Sequence, residues 1–454
     1  MNIVSAIFER NSDDTPAIVH EGGVISYREL RDQVRVISSG LKRHSRWPTS
    51  NIPRVALSFP SGPDYIALAL AILNAGGCFL PVPDELTPRE RDQLLSITSA
   101  DLLMTGAGEL GALHHDAPPV FPIDALDAMH PAFIRFSSGT TGRAKGIVLS
   151  HDSLLARITA ANQALRIGRG DRVLWKLPMA HHFAVSIVLY LYHGATTVLA
   201  PSGNLLTPAR DHRVTVIYGS PFHFAMLAAE PDAAPLPDLR LAVSTAFALP
   251  ESTARAFESK FSLPLRQGLG IIEAGLPLLN LDAAESKPYS VGKPTPLFEA
   301  RLDDETGELL LQGPGMLDAY LSPWQTRDDI LQNGWLATGD IADCDADGCY
   351  FLRGRTRTVI NVGGLKCFPE EVEGVLKLHP AVAAARVSGR PHPGLGAAPV
   401  AEIVAANDAQ LPTVPEMRKH CQQHLAAYKI PIGFQFVSTL PLTSSGKILR
   451  ATTA

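Results

Sequence analysis

The run Phe136-Ser137-Ser138-Gly139-Thr140-Thr141-Gly142-Arg143-Ala144-Lys145-Gly146 lies between two apolar stretches. Ahead of it, Ala132-Phe133-Ile134-Arg135-Phe136 reads as a short buried strand, and behind it Ile147-Val148-Leu149 resumes the apolar pattern. Three glycines, four hydroxyls and two cations share the loop. Glycine lets the backbone come close to a ligand, successive N–H groups in such a turn form an anion-binding nest, and the hydroxyls and cations add charge-assisted donors. The loop suits phosphate. It is not a Walker loop: counting from Gly139, the second glycine of Gly-x-x-x-x-Gly-Lys-Ser/Thr falls on Ala144, and Gly146 rather than a hydroxyl follows Lys145.

A chain of 454 residues is too long for one hydrophobic core, so two or three domains are expected. With 46% hydrophobic and 19% charged residues it has an ordinary globular composition, and a net charge of −5 makes no case for nucleic acid or an anionic membrane as partner. The first ten residues lack the cationic start and long apolar core of a signal peptide, and apolar stretches such as Tyr65 to Leu73 are too short to span a bilayer. Five scattered cysteines (Cys78, Cys344, Cys349, Cys367, Cys421) fit a reduced, cytoplasmic protein.

From the N-terminus, strand-like and helix-like pieces alternate. Pro16 to Val19 and Val24-Ile25 flank the hairpin signal Glu21-Gly22-Gly23. Ser26-Tyr27-Arg28-Glu29 has the spacing of a capping box, with helical periodicity to Leu41. Arg54 to Ser58 predicts a strand, Asp64 to Leu73 a helix and Gly76 to Val82 another strand, which together argue for an α/β domain with a largely parallel sheet. Two patterns are decoys. Gly106-Ala107-Gly108-Glu109-Leu110-Gly111 copies a dinucleotide fingerprint but leaves no room for the receiving helix, so it reads as a loop, with His114 and His115 solvated. Asp343-x-Asp345-x-Asp347-Gly348 copies the start of a calcium loop whose twelfth position is Gly354, so it reads as a tight turn between strands.

Val173 to Phe183 leads into an apolar helix ending near Tyr192-His193-Gly194; His181 and His182 diverge there too much to chelate. Val214 to Pro221 and Leu241 to Ala246 look like further strand ends, where ligands sit in open α/β sheets. Leu265-Arg266-Gln267-Gly268-Leu269-Gly270-Ile271-Ile272-Glu273-Ala274-Gly275 follows, then Val291-Gly292-Lys293-Pro294, Gly334-Trp335-Leu336-Ala337-Thr338-Gly339-Asp340 and Gly354-Arg355. The chain closes on Leu440-Pro441-Leu442-Thr443-Ser444-Ser445-Gly446-Lys447-Ile448-Leu449-Arg450.

In order and spacing these stretches resemble the adenylate-forming superfamily of acyl- and aryl-CoA synthetases, nonribosomal peptide synthetase adenylation domains and luciferases. The resemblance runs from Tyr27 to Lys447. It implies a mixed α/β fold, a large N-terminal domain of helix-covered β-sheets (1–354) that binds ATP and the acid, and a small mobile C-terminal α+β domain (355–454). It also implies ATP and Mg²⁺ as cofactors, with Ser137, Ser138, Gly139, Thr140, Thr141, Gly142, Lys145, Gly270 and Ile272 on the nucleotide, Asp340 and Arg355 on its ribose, and Glu273 on the metal. His181, His182, Phe183, Ser244, Thr245, Ala246 and Gly268 then wall the acid pocket, Arg357 is the hinge, Gly363 and Gly364 line a pantetheine tunnel, and Lys447, with His181, is catalytic. The lysine bridges the substrate carboxylate and α-phosphate, where a cation offsets the repulsion of two anions.

Two positions depart from the family pattern: Leu269 stands where an aromatic lies on adenine, and Ile272 where a hydroxyl contacts phosphate. Both predict weaker nucleotide contacts. Amino-acid-activating members keep an Asp near the pocket histidine, whereas no acidic residue occurs here between Asp171 and Asp211. A buried ammonium without a carboxylate is costly, so an aryl or acyl acid is expected, passed to the thiol of CoA or an acyl carrier protein. The alternatives are a non-catalytic adenylate-binding protein and an adenylating enzyme with a non-thiol second step such as amide synthesis.

Overall fold

In the computed structural model, residues 1–48, 51–115, 118–136, 145–201, 203–231, 235–406, 412–442 and 448–449 are described. The strands beside the glycine-rich loop, Pro131–Phe136 and Gly146–Ser150, pair antiparallel with Phe136 opposite Gly146. Gly146 has no space for a side chain: a Cβ there would lie 2.9 Å from Leu321 Cβ and from the Phe136 ring. The hairpin belongs to an eight-stranded sheet, whose strands Cys78–Pro81, Arg54–Leu57 and Leu102–Gly106 are parallel neighbours. A nine-stranded sheet carries the parallel run Arg266–Ile271, Leu241–Ser244, Val216–Gly219, Arg172–Trp175, Thr196–Leu199 and Pro16–His20.

The main core takes side chains from both sheets and from helix Pro63–Asn74. That helix is apolar on every side, so only full enclosure accommodates it, and each residue from Tyr65 to Leu73 is at most 3% exposed. Each of its large aliphatic side chains contributes about 1.5–3 kcal/mol by leaving water. Helix Tyr27–Arg43 has the expected capping box, in which the Glu29 carboxylate accepts from the Ser26 N–H at 2.7 Å and Ser26 Oγ accepts from the Glu29 N–H.

A four-stranded antiparallel sheet of Glu299–Leu302, Glu308–Gln312, Leu336–Cys344 and Tyr350–Arg355 follows. Strands from Ile360 to Phe436 then make a five-stranded sheet with a core of its own, in which Ile360, Val372, Leu376, Ile403 and Met417 are fully or almost fully buried beside helices Pro369–Lys377 and Val414–His424. The fold is mixed α/β, with a large N-terminal part and a smaller C-terminal one. Among the described residues, no helix is long and apolar enough to cross a membrane.

Three local expectations need correction or refinement. The glycine pattern at 106–111 is a hairpin rather than a loop, because strand Leu102–Gly106 turns through Ala107-Gly108 and pairs antiparallel with Glu109–Ala112. His115 is not merely solvated; its Nε2 lies 2.7 Å from the Ala100 carbonyl. The apolar helix before Gly194 is three pieces, Met179–His182 and Val188–Tyr192 joined by a π-helical turn at Phe183–Ile187. The aspartate run is the turn that was expected. Asp345 Oδ1 accepts from the N–H groups of Asp347 and Cys349, both at 3.0 Å, and the Lys287 ammonium lies 2.6 Å from its other oxygen.

Candidate active site

Parallel pairing of Arg172–Trp175, Val216–Gly219, Leu241–Ser244 and Arg266–Ile271 carries their C-terminal ends to one edge of the sheet, the edge at which α/β sheets bind ligands. Trp175 stacks on Tyr218 with centroids 6.3 Å apart, and His182 meets the Trp175 ring edge-on at 5.9 Å. Tyr218 and Thr245 share a side-chain hydrogen bond, although burial still raises the phenol's pKa. Thr245 N–H donates to the Gly219 carbonyl at 2.9 Å, and Ala246 turns the chain away at φ 74°. Gly268 is packed so closely that a Cβ would lie 3.1 Å from Leu276; Gly270, two residues on, is exposed. Trp175 Nε1 and Ser244 Oγ are buried without hydrogen-bond partners among the described residues, and a polar ligand atom there would relieve them.

Cations gather beside these strand ends. Lys145 Nζ sits 4.0 Å above the Tyr320 ring, and Tyr320 donates its hydroxyl to Glu273 Oε1 at 3.4 Å. Burial lowers the Lys145 pKa, and the nearby charge of Arg357 lowers it further. Arg157 is 2% exposed, and its guanidinium donates to the carbonyls of Gly315, Ile272 and Glu273 at 2.7–3.3 Å. The segment carrying Glu273 is thereby fixed, and its carboxylate, which takes the long hydrogen bond from Tyr320, has oxygen lone pairs that fit a divalent cation. Among the described residues, no cluster of three metal-ligating side chains competes for this assignment.

His181 does not share a direction with His182. Its Nε2 lies 2.5 Å from Glu85 Oε1, while Arg135 donates to its carbonyl at 2.5 Å and sits 3.4 Å from its Nδ1. Phe183, expected in the pocket, is instead in the core, fully buried with its ring against Phe79 and Tyr65. Leu269 likewise packs in the main core cluster. Asp340 and Arg355 face each other across paired strands with a 2.9 Å ion pair, so the arginine holds the carboxylate in place. Gly363 and Gly364, at φ 60° and 90°, form the two-residue turn between Ile360–Val362 and Leu365–Cys367, which alone requires glycine-like backbone at both positions. Ser137, Ser138, Gly139, Thr140, Thr141, Gly142 and Lys447 lie outside the described residues.

Reading the sequence alone missed Arg135, Arg157, Tyr320 and Glu85. A charge inside an apolar run is a usable signal for the first two. Glu85 has none, because 96 residues separate it from the histidine it meets. It also limits the argument from the stretch 171–211: the fold brings a carboxylate to His181 from elsewhere in the chain.

Residues 6–321 match the model of the AMP-binding enzyme family, and residues 371–447 that of the AMP-binding enzyme C-terminal domain. The chain belongs to the AMP-binding enzyme family. Feruloyl-CoA synthase of an Amycolatopsis species is 29% identical to this AMP-binding enzyme over 478 residues, taking in 97% of this chain and 96% of that protein. Sulfoacetate–CoA ligase of Cupriavidus necator is 33% identical over 352 residues, 74% of this chain and 69% of that protein. Among solved structures, o-succinylbenzoate CoA synthetase of Bacillus subtilis, in complex with an acyl-adenylate intermediate, aligns with a TM-score of 0.86 at 24% identity over 99% of this chain and 97% of that one. That likeness establishes the fold of the AMP-binding enzyme.

Proposed function

We propose that this AMP-binding enzyme activates an aryl or acyl carboxylic acid as its adenylate and transfers the acyl group to the pantetheine thiol of CoA or an acyl carrier protein. An AMP-forming acid–thiol ligase is the class to which the family match and the CoA-ligase relatives assign it. The observation that carries the reading is the convergence of Lys145, Tyr320 and Glu273 beside the strand ends that present Thr245 and Gly270. An attacking carboxylate and a triphosphate are both anions, so the site must supply positive charge as they meet.

In the first step, the acid's carboxylate oxygen bonds to the α-phosphorus and the bond to the β-phosphate bridging oxygen breaks, releasing pyrophosphate. Lys145 and residues 137–142 hold phosphate, Asp340 accepts from the ribose hydroxyls with Arg355 at its side, and Gly270 and Ile272 contribute backbone. Mg²⁺, held by Glu273, would supply further charge neutralisation. Thr245, Ala246, Gly268, Ser244, His181 and His182 bound the acid. Lys447 bridges acid and α-phosphate. In the second step the thiolate sulfur attacks the acyl carbon and AMP leaves with the electron pair. Arg357 is the pivot between a core of 1–354 and a mobile domain of 355–454, and Gly363-Gly364 lies along the thiol's approach. The cytoplasm supplies ATP and a reduced thiol.

Acid-dependent ATP–pyrophosphate exchange over benzoates, hydroxybenzoates, cinnamates, fatty acids and amino acids tests the reading. Exchange with one aryl or acyl class, followed by a thioester product with CoA or a carrier protein, is expected. Exchange with amino acids alone overturns the substrate class, and no exchange from folded, ATP-binding protein overturns the activity.

A further inference from the structure

Three separate elements meet at the His181 ring. Glu85 comes from the loop between strand Cys78–Pro81 and helix Pro88–Ile97, Arg135 from strand Pro131–Phe136, and His181 from helix Met179–His182. Arg135 is a donor only, and burial brings its pKa to about 10, so it stays protonated at neutral pH. Nδ1 of His181 faces that guanidinium at 3.4 Å and is therefore the unprotonated nitrogen, while Nε2 carries the proton and donates it to Glu85 at 2.5 Å. The His181 side chain is 11% exposed and Glu85 32%, so water screens the pair only in part.

From this geometry we infer that Glu85 is a positioning residue for the acid pocket: through its bond to Nε2 it fixes the tautomer and ring plane that His181 presents. The inference deepens the proposed function and rests on His181 bounding the acid. A carboxylate on one side and a guanidinium on the other hold the imidazole like a clamp. Loss of the carboxylate frees the ring to turn and to move its proton. Among the described residues, the charged and titratable groups around the ring include Glu85, Arg135, Asp84 beside Glu85, and, through Arg135, Glu273 and Tyr65. A proton on Nδ1 would set two cations against each other, and the Glu85 carboxylate lies on the opposite side of the ring, at Nε2.

The experiment compares wild-type full chain with Glu85→Ala, Glu85→Gln and Glu85→Asp, using the best acid from the exchange panel. Glu85→Ala is expected to raise the KM for the acid about tenfold while the KM for ATP stays within about twofold, with partial rescue by Glu85→Asp. In Glu85→Gln a hydrogen-bond acceptor remains but the charge is gone, so its acid KM is expected between those of wild type and Glu85→Ala. An acid KM within twofold of wild type in every variant overturns the inference. Ring ¹⁵N shifts of histidine-labelled protein, assigned with His181→Asn, give a reading independent of turnover. A proton on Nε2 in wild type, and tautomer exchange in Glu85→Ala, support the clamp; a proton on Nδ1 in wild type overturns it. Absence of exchange in wild type would refute the proposed activity and leave the ¹⁵N shifts to decide the clamp.

Discussion

Arg157 holds together the stretch that carries Glu273. Its three nitrogens donate to the carbonyls of Gly315, Ile272 and Glu273, two chain segments that a backbone bond from the Leu317 N–H to the Glu273 carbonyl also joins. Arg157→Met keeps most of the volume but takes the donors from the Gly315 and Ile272 carbonyls, while the Glu273 carbonyl keeps the Leu317 N–H at 2.7 Å. Hydrogen bonds from a charged group contribute about 1.5–3 kcal/mol each, and each buried acceptor left unpaired costs about 1–3 kcal/mol. A loss of about 3 kcal/mol or more is expected in urea unfolding of the full chain; a change below about 1 kcal/mol would mean that water replaces the guanidinium at no penalty. At this scale the sequence is partly legible. Asp340, Lys145 and Glu273 stand in recognisable patterns because their chemistry is tied to their chain neighbours. Glu85 and Tyr320 act on residues far away in sequence, where local pattern carries no signal. Phe183 shows the converse, since whether an apolar side chain faces a ligand or the core is settled by the turn of the backbone beneath it.

Elements are more legible than single contacts. Ser26 and Glu29 announce the start of a helix because the capping box is a reciprocal bond between two residues three positions apart, local enough to read from the sequence. The π-helical turn at 183–187 has no such mark, as neither glycine nor proline interrupts the run. The Gly363-Gly364 turn has a backbone requirement of its own, whatever passes beside it. Both glycines have positive φ, and nothing lies within 4 Å of a Cβ placed on Gly364. The backbone conformation, not lack of space, selects glycine there. Gly364→Ala is expected to cost about 1–2 kcal/mol through left-handed strain, and Gly364→Asn less, because Asn tolerates that region. A thioester step that survives in Gly364→Asn would show that the turn is the whole requirement. A step lost from the stable Asn variant, with pyrophosphate exchange intact, would show that the thiol passes close to this backbone.

On the scale of the whole molecule, the chain must serve two reactions with one acyl carbon. Pyrophosphate leaves from one side of the adenylate and a thiol must reach it afterwards, and the proposed function has the C-terminal part move between the two steps. Arg357 lies in the turn that follows strand Tyr350–Arg355 and precedes Ile360–Val362, outside either ladder. Its charge is felt by Lys145 and Tyr320, which places this turn against the N-terminal part in the present arrangement. Proline at this position fixes φ near −65° and restricts Thr356 as well. If the turn is the hinge, Arg357→Pro leaves one arrangement accessible and closes the other. The expected outcome is pyrophosphate exchange within about threefold of wild type and thioester formation from supplied acyl-adenylate reduced by at least about a hundredfold, while unfolding by urea stays within about 1 kcal/mol. Equal losses in both half-reactions would remove Arg357 as the pivot and make its charge beside Lys145 the property that matters; Arg357→Ala, which keeps backbone freedom and removes the charge, separates these outcomes by sparing transfer only in the first case.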